Sequence, residues 1–285
     1  MKNLFLFVIL ACLTGTLFAQ VDTVDIYSQA LKKSLKAAVV KPQGYEHRES
    51  AYPTVYLLHG GAGKFSDWHL KTTEDNLLIN LSNQYGIIIV TPSVGPLSYY
   101  WDSPNQDSVR YETYMIQELI PFIDQKYKTL KMREGRAIAG LSMGGHGALM
   151  LSAKHPELFT AAGSMSGVMN IDVGLWKVEE SYANSVNQRL EASIGTFNRE
   201  APFSPFTVVG LVDRMKENGI FLLIDCGVDD FLINTNRQIH QLLLENGTPH
   251  EYTERPGAHT WEYWTEALPF HMLFIHQVFK KNGIY

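Results

Sequence analysis

RAIAGLSMGGHGALML, residues 136–151, changes character halfway along. It begins as a short apolar run of the kind that forms a buried strand and ends as a small-residue segment suited to a helix. Between the two lies Gly140-Leu141-Ser142-Met143-Gly144, a G-x-S-x-G pattern. In that setting the pattern describes a sharp strand-to-helix turn that presents a serine hydroxyl at the end of a sheet. Such a turn strains the backbone of Ser142, and side chains at positions 140 and 144 would collide with neighbouring backbone, so both positions require glycine. The plainer alternative is that Ser142 simply caps the helix that follows.

Working outward, apolar runs rich in β-branched residues occur at 36–40, 54–58, 87–90, 136–139, 161–166, 221–225 and 250–254. Helix-like stretches lie between most of them, at 73–84, 111–126, 145–155, 234–246 and 262–280. Strands alternating with helices predict an α/β fold, a mostly parallel central sheet with helices on both faces. Residues 21–45 hold strand-like pieces with no helix between them, which predicts antiparallel strands at the N-terminal edge. Residues 168–210 lack clean periodicity and contain Pro202 and Pro205, so they are expected to form a lid-like excursion over the sheet. No linker or repeat divides residues 20–285, which are expected to form a single domain.

The chain has 285 residues, 45% hydrophobic and 19% charged, the balance of a globular protein with a large core. Its net charge of -5 and its lack of any basic run argue against nucleic acid as a partner. A mean hydropathy of -0.10 excludes a multi-span membrane protein. The leader MKNLFLFVILACLTGTLFAQ has Lys2, then an apolar run from Leu4 to Leu13, then small and polar residues. This is the layout of a signal peptide over residues 1–19, with cleavage after Ala19 and export to the periplasm or the medium. The alternative takes Ile9-Leu10-Ala11-Cys12 as a lipoprotein box, with Cys12 as the lipid anchor. In either case Cys226 has no partner for an internal disulfide, and its apolar setting suits a small buried residue better than a nucleophile.

A serine hydroxyl is a weak nucleophile that needs an imidazole within reach, and the imidazole needs a carboxylate to fix its tautomer. On this fold the acid and then the histidine follow the serine in the chain. The strand FLLID is followed by Cys226-Gly227-Val228-Asp229-Asp230, so the acid is expected there. Asp230 is preferred, Asp229 is the alternative, and Asp225 is expected to end the strand. Five histidines follow this loop, and only His259 sits in a turn-rich loop after a strand, Arg255-Pro256-Gly257-Ala258-His259. His271 and His276 fall within the last helix as packing or surface residues.

An oxyanion would need two preorganised donors. The backbone N–H of Met143 supplies one, and Gly60 or Gly61 of His59-Gly60-Gly61-Ala62-Gly63 supplies the other. His59 is read as shaping that loop. The loop lacks the Gly-Lys-Ser/Thr of a phosphate cradle, and the chain has neither H-E-x-x-H nor paired cysteines, so no metal and no cofactor are assigned. Trp68, Tyr99, Tyr100, Trp101, Trp261 and Trp264 neighbour these loops in sequence. Trp68, Tyr100, Trp101 and Trp261 are taken as substrate-binding candidates, Trp101 and Trp261 foremost, against ordinary core packing.

The segments YPTVYLLHGGAGKFSDW, YYWDSPNQDSVRYETYMIQELIPFID, AGLSMGGHGAL, CGVDDFL and PGAHTWEYW resemble the putative-esterase family along nearly the whole chain after the leader. That family includes S-formylglutathione hydrolases (esterase D), feruloyl and acetyl xylan esterases of carbohydrate esterase family 1, and the related mycolyltransferases. The resemblance implies an α/β-hydrolase fold, with Ser142, Asp230 and His259 as nucleophile, acid and base and with Met143 and Gly61 as oxyanion donors. Where the formylglutathione enzymes carry Ser-Gly-Leu-Thr-Cys, this chain has His59-Gly60-Gly61-Ala62-Gly63. Export together with this resemblance implies a serine carboxylesterase acting on acyl esters of plant polysaccharides, of the acetyl xylan or feruloyl type. A thioesterase of the formylglutathione type and an acyltransferase are the alternatives, with a non-enzymatic binding module a further one.

Overall fold

A computed structural model describes residues 20–196 and 205–285. The leader, with Cys12 and Ala19, lies outside the described residues, as does Pro202. Eight strands form one sheet: β1 Val21–Ser28, β2 Lys33–Val40, β3 Thr54–Leu58, β4 Ile88–Pro92, β5 Arg136–Leu141, β6 Ala161–Met165, β7 Phe221–Gly227 and β8 Glu251–Arg255. Their order is β1-β2-β4-β3-β5-β6-β7-β8. β1 pairs antiparallel with β2, β2 pairs antiparallel with β4, and every later pairing is parallel. The architecture is the α/β-hydrolase arrangement expected, with antiparallel N-terminal edge strands.

Helices cover both faces because each central strand is apolar on both sides. β3, β4, β5 and β6 are buried throughout. Along β3, Tyr56 and Leu58 enter one core while Val55 and Leu57 enter the other, the period-two alternation of a strand. The first core takes residues from α4 Ile120–Lys126, α5 Met143–Lys154, α7 Val212–Asn218 and α8 Ile233–Asn246. The second takes Leu77, Leu78 and Leu81 of α2 Leu77–Tyr85 and Leu268, Met272, Ile275 and Phe279 of α9 Trp261–Lys281. Three shorter or outlying helices are the others among the described residues: α1 Asp67–Leu70, α3 Tyr111–Thr113 and α6 Glu180–Ile194. A π-helical turn, Tyr114–Leu119, joins α3 to α4 into one helical stretch over 111–126.

The structure moves some boundaries. The helix expected from residue 73 starts at Leu77, because Asn76 takes a left-handed conformation (φ 58°) that breaks the preceding turn. β7 continues two residues past Asp225, so Asp225 lies inside the strand rather than at its end. The largest difference is in 168–210, where no helix was expected and α6 runs for 15 residues. Its buried face amounts to Val186, Leu190, Ser193 and Ile194, too thin an apolar stripe to stand out in sequence. α6 lies in the long connection between β6 and β7. Its C-terminal end is tied to the loop after β4 by Trp101 Nε1 donating to Ser193 Oγ (3.0 Å) and Ser103 Oγ donating to the Ser193 carbonyl (2.5 Å).

Parallel pairing has one consequence for the site. Leu58 is in register with Gly140, Leu141 with Met165, and Gly227 with Arg255. The C-terminal ends of β3, β5, β6, β7 and β8 therefore share one rim, and the loops that leave them meet above it.

Candidate active site

The elbow after β5 is built by contacts that exclude side chains. A Cβ on Gly140 would lie 2.5 Å from the Gly144 carbonyl carbon and oxygen. A Cβ on Gly144 would lie 2.6 Å from the Leu58 carbonyl oxygen and 2.7 Å from that of His59. Helix α5 can thus press against the end of β3 only with glycine at both places. Ser142 takes φ 54° and ψ -119°, a strained conformation for a residue with a side chain, and makes no side-chain cap bond to α5. Its backbone is clamped: Ser142 N–H donates to the Met165 carbonyl (2.9 Å), and the Ser142 carbonyl accepts from His146 N–H (3.1 Å) and Val168 N–H (3.3 Å). The hydroxyl takes no part in that clamp.

His259 comes from the loop between β8 and α9, and its Nε2 is 2.9 Å from Ser142 Oγ. Its Nδ1 is 2.8 Å from Asp230 Oδ2. A carboxylate only accepts, so Nδ1 carries the proton toward Asp230, and Nε2 offers its lone pair to the serine hydroxyl. Asp230 is fully buried, and its Oδ1 accepts from Leu232 N–H at 2.8 Å, which fixes the carboxylate. Phe231 and Trp264 flank the imidazole, at centroid distances of 4.5 and 4.9 Å. Of the two adjacent acids, Asp229 is exposed and uses its backbone N–H on the Gly257 carbonyl.

The loops carrying acid and histidine are zipped to each other. Val228 N–H donates to the Arg255 carbonyl and Asp229 N–H to that of Gly257, both at 2.9 Å. A Cβ on Gly227 would approach the Gly257 oxygen to 2.3 Å, so only glycine permits this closeness. Below them Asp225 accepts from Arg255 Nη2 and Tyr263 Oη, joining β7, β8 and α9. Burial raises the Asp225 carboxyl above its usual range despite these two donors.

The opposite wall is the loop after β3. His59 is almost wholly buried; its Nδ1–H donates to the Gly60 carbonyl (2.7 Å) and its Nε2 accepts from Val94 N–H (3.0 Å). That pair of bonds uses the neutral imidazole, in keeping with a pKa lowered by burial. Leu97 N–H donates to the Gly61 carbonyl, and Gly63 N–H to that of Gly60. Gly60, Gly61 and Met143 all line the cavity in front of Ser142. Met143 is the first residue of α5, where a backbone N–H has no partner within the helix.

The cavity holds about 440 Å³ and contains Ser142 and His259. Its aromatic wall is Tyr99, Trp176, Tyr182, Phe231, Trp261 and Trp264. Trp264 Nε1 is buried with no partner among the described residues. Of the expected substrate aromatics only Trp261 reaches the cavity. Trp68 is buried under it, edge-on to Trp261 at 5.3 Å, with its indole N–H on the Leu58 carbonyl. Tyr100 is fully buried and spends its hydroxyl on the His59 carbonyl. Trp101 is buried between Tyr99, His146 and Phe206 and bonds Ser193. Those three brace the loops, because a side chain next to a loop in sequence can point beneath it. Trp176, Tyr182 and Arg189, all on the β6–β7 connection, line the cavity and were not singled out from sequence. Trp176 is the one tryptophan that does not neighbour these loops in sequence.

A strained serine at the end of the fifth strand, facing a histidine and an acid from later loops of a doubly covered sheet, defines an α/β-hydrolase. The family model described as "Putative esterase" matches residues 28–275, and the chain belongs to that family. An acetyl esterase from Caldicellulosiruptor saccharolyticus is 28% identical over 263 residues, 86% of this chain and 94% of that protein. A solved ferulic acid esterase is 30% identical with a TM-score of 0.74, covering 90% of this chain and 98% of that one. The diacylglycerol acyltransferase/mycolyltransferase Ag85B of Mycolicibacterium smegmatis is 26% identical over 75% of this chain and 73% of its own length. The protein is a carboxylic ester hydrolase of this family.

Proposed function

We propose that the protein is an exported serine esterase that cleaves acyl esters on plant polysaccharides, of the acetyl or feruloyl kind, through an acyl-enzyme on Ser142. The observation that carries this reading is the unbroken relay of Ser142 Oγ, His259 and Asp230 at 2.9 and 2.8 Å, opening on an aromatic-walled cavity. His259 Nε2 accepts the hydroxyl proton as Oγ attacks the carbonyl carbon, and Asp230 stabilises the imidazolium that results. The N–H groups of Met143 and Gly61, or Gly60 in its place, hold the developing oxyanion. His259 returns its proton to the departing alcohol, and water, activated by the same imidazole, then releases the acid. Trp176, Phe231, Trp261 and Trp264 supply flat apolar faces for a feruloyl ring or a sugar ring.

The excursion at about 168–210 acts as a lid over a single domain, residues 20–285, that is released by cleavage after Ala19 or tethered at Cys12. Similarity to an acyltransferase favours a second reading, in which a sugar or lipid hydroxyl replaces water in the second half-reaction. The test is product analysis on acetylated and feruloylated xylooligosaccharides, with and without an added alcohol acceptor. Free acid alone supports hydrolysis, a new ester supports transfer, and no release from either oligosaccharide removes the polysaccharide reading.

A further inference from the structure

α6 turns one charged side chain into the cavity. Tyr182 and Arg189 both line it, and they stand seven residues apart, two turns along one side of the helix. A helix surface ordinarily gives an arginine its counter-ion three or four residues away. Here those places hold Ser185, Val186, Ala192 and Ser193, and none is acidic. Arg189 makes no ion pair with any of the described residues. The other charges lining the cavity cancel locally, since Lys71 Nζ sits 2.8 Å from Asp67 Oδ2. The Asp230 carboxylate lies buried behind His259 and is taken up by its bonds to the imidazole and Leu232. Among the described residues, the cavity wall therefore carries one uncompensated positive charge, on a chain whose net charge is -5.

A planar guanidinium with five donors matches a carboxylate bidentately. Arg189 and Tyr182 are exposed where they line the cavity, so such a contact is made within reach of solvent and is weakened by salt. A chain of net negative charge repels anions at long range, so a local cation is the feature that would admit one. We infer that Arg189 forms a carboxylate subsite on the cavity wall, and that the preferred substrates are esters carrying a second, ionised carboxyl group. This deepens the hydrolytic reading above and rests on it. The carboxylate can belong to the acyl part, as in a half-ester of a dicarboxylic acid, or to the alcohol part, as in an ester of a uronic acid sugar.

Two matched pairs of esters separate these sources. Mono-p-nitrophenyl succinate against its methyl ester places the charge on the acyl side, and 4-acetoxybenzoate against its methyl ester places it on the alcohol side. The readout is kcat/KM for the charged ester divided by that for its neutral partner. In Arg189→Met this ratio is expected to fall about tenfold on one of the two pairs, with Arg189→Lys between Met and wild type. Added salt should lower the ratio in wild type and leave it flat in Arg189→Met. A ratio unchanged by Arg189→Met on both pairs overturns the subsite. If wild type cleaves none of the four esters, the hydrolytic reading fails first. Succinate and benzoate binding by calorimetry then decides the subsite alone: weakening in Arg189→Met supports it, and equal binding overturns it.

Discussion

The rim of β3, β5 and β6 and the long connection carrying α6 are two ways of building one cavity. At the rim, position is set by backbone against backbone. Gly140 and Gly144 let α5 rest on the end of β3, and Ser142 is held by three main-chain hydrogen bonds. Nothing there can be repacked without moving the sheet. In the connection, α6 buries four residues and is tied at its C-terminal end through Trp101 and Ser103 to Ser193. The first region holds Ser142, and the second carries Trp176, Tyr182 and Arg189, side chains that line the cavity. A scaffold of this kind can alter what it accepts without disturbing how it reacts.

The comparison breaks if rim substitutions prove mild. Ser142→Ala should lower turnover of p-nitrophenyl acetate by about a million-fold with the fold retained, read by steady-state kinetics beside circular dichroism. Asp230→Asn should cost about 10⁴-fold, because the amide no longer fixes the His259 tautomer. Asp229→Asn should stay within a few-fold, and the reverse ranking would move the acid to the exposed residue. Gly144→Ala drives a Cβ to 2.6 Å from the Leu58 oxygen, and about 1–3 kcal/mol of stability should be lost in urea titration.

Acid sharpens the contrast from another side. His271 is fully buried in the core with neither ring nitrogen partnered among the described residues, and burial lowers its pKa from 6.5 to about 3. His146, buried beside Tyr99, is lowered to about 4 in the same way. Both stay neutral when folded and charge when unfolded, so between pH 6.5 and about 4 the unfolded chain binds more protons. Stability therefore rises with pH across that window and falls on acidification, by about 1.4 kcal/mol per pH unit for each histidine. His271→Leu should remove one proton's worth of that slope, and an unchanged slope would place the acid sensitivity elsewhere. The smallest effect is expected in the connection. Ser193→Ala removes the acceptor for Trp101 Nε1 and should cost about 1 kcal/mol, with faster proteolysis confined to α6 as its signature.

Legibility in the sequence follows the same divide. The elbow, the acid loop and the His259 loop could be read because glycine spacing and chain order follow from backbone geometry, which local sequence records. The aromatics could not be sorted that way. Trp68, Tyr100 and Trp101 lie as near the loops in sequence as Trp261 does, yet they point under them. Which way a loop side chain turns is decided by the partner it meets, such as Ser193 for Trp101, 92 residues away. α6 is hard to see in sequence for a related reason. A helix resting on a surface buries a narrow stripe, and a narrow stripe looks like ordinary polar sequence. Arg189 could be recognised only once the helix was placed over the cavity.

The zipper between the loops after β7 and β8 makes the carboxylate and the imidazole a single mechanical body, while the hydroxyl rides on a different helix and strand. Heating or a poorly fitting ligand would therefore part Ser142 from His259 well before it parted His259 from Asp230. Inactivation should begin as a widening of one gap, with the proton on Nδ1 still held in place.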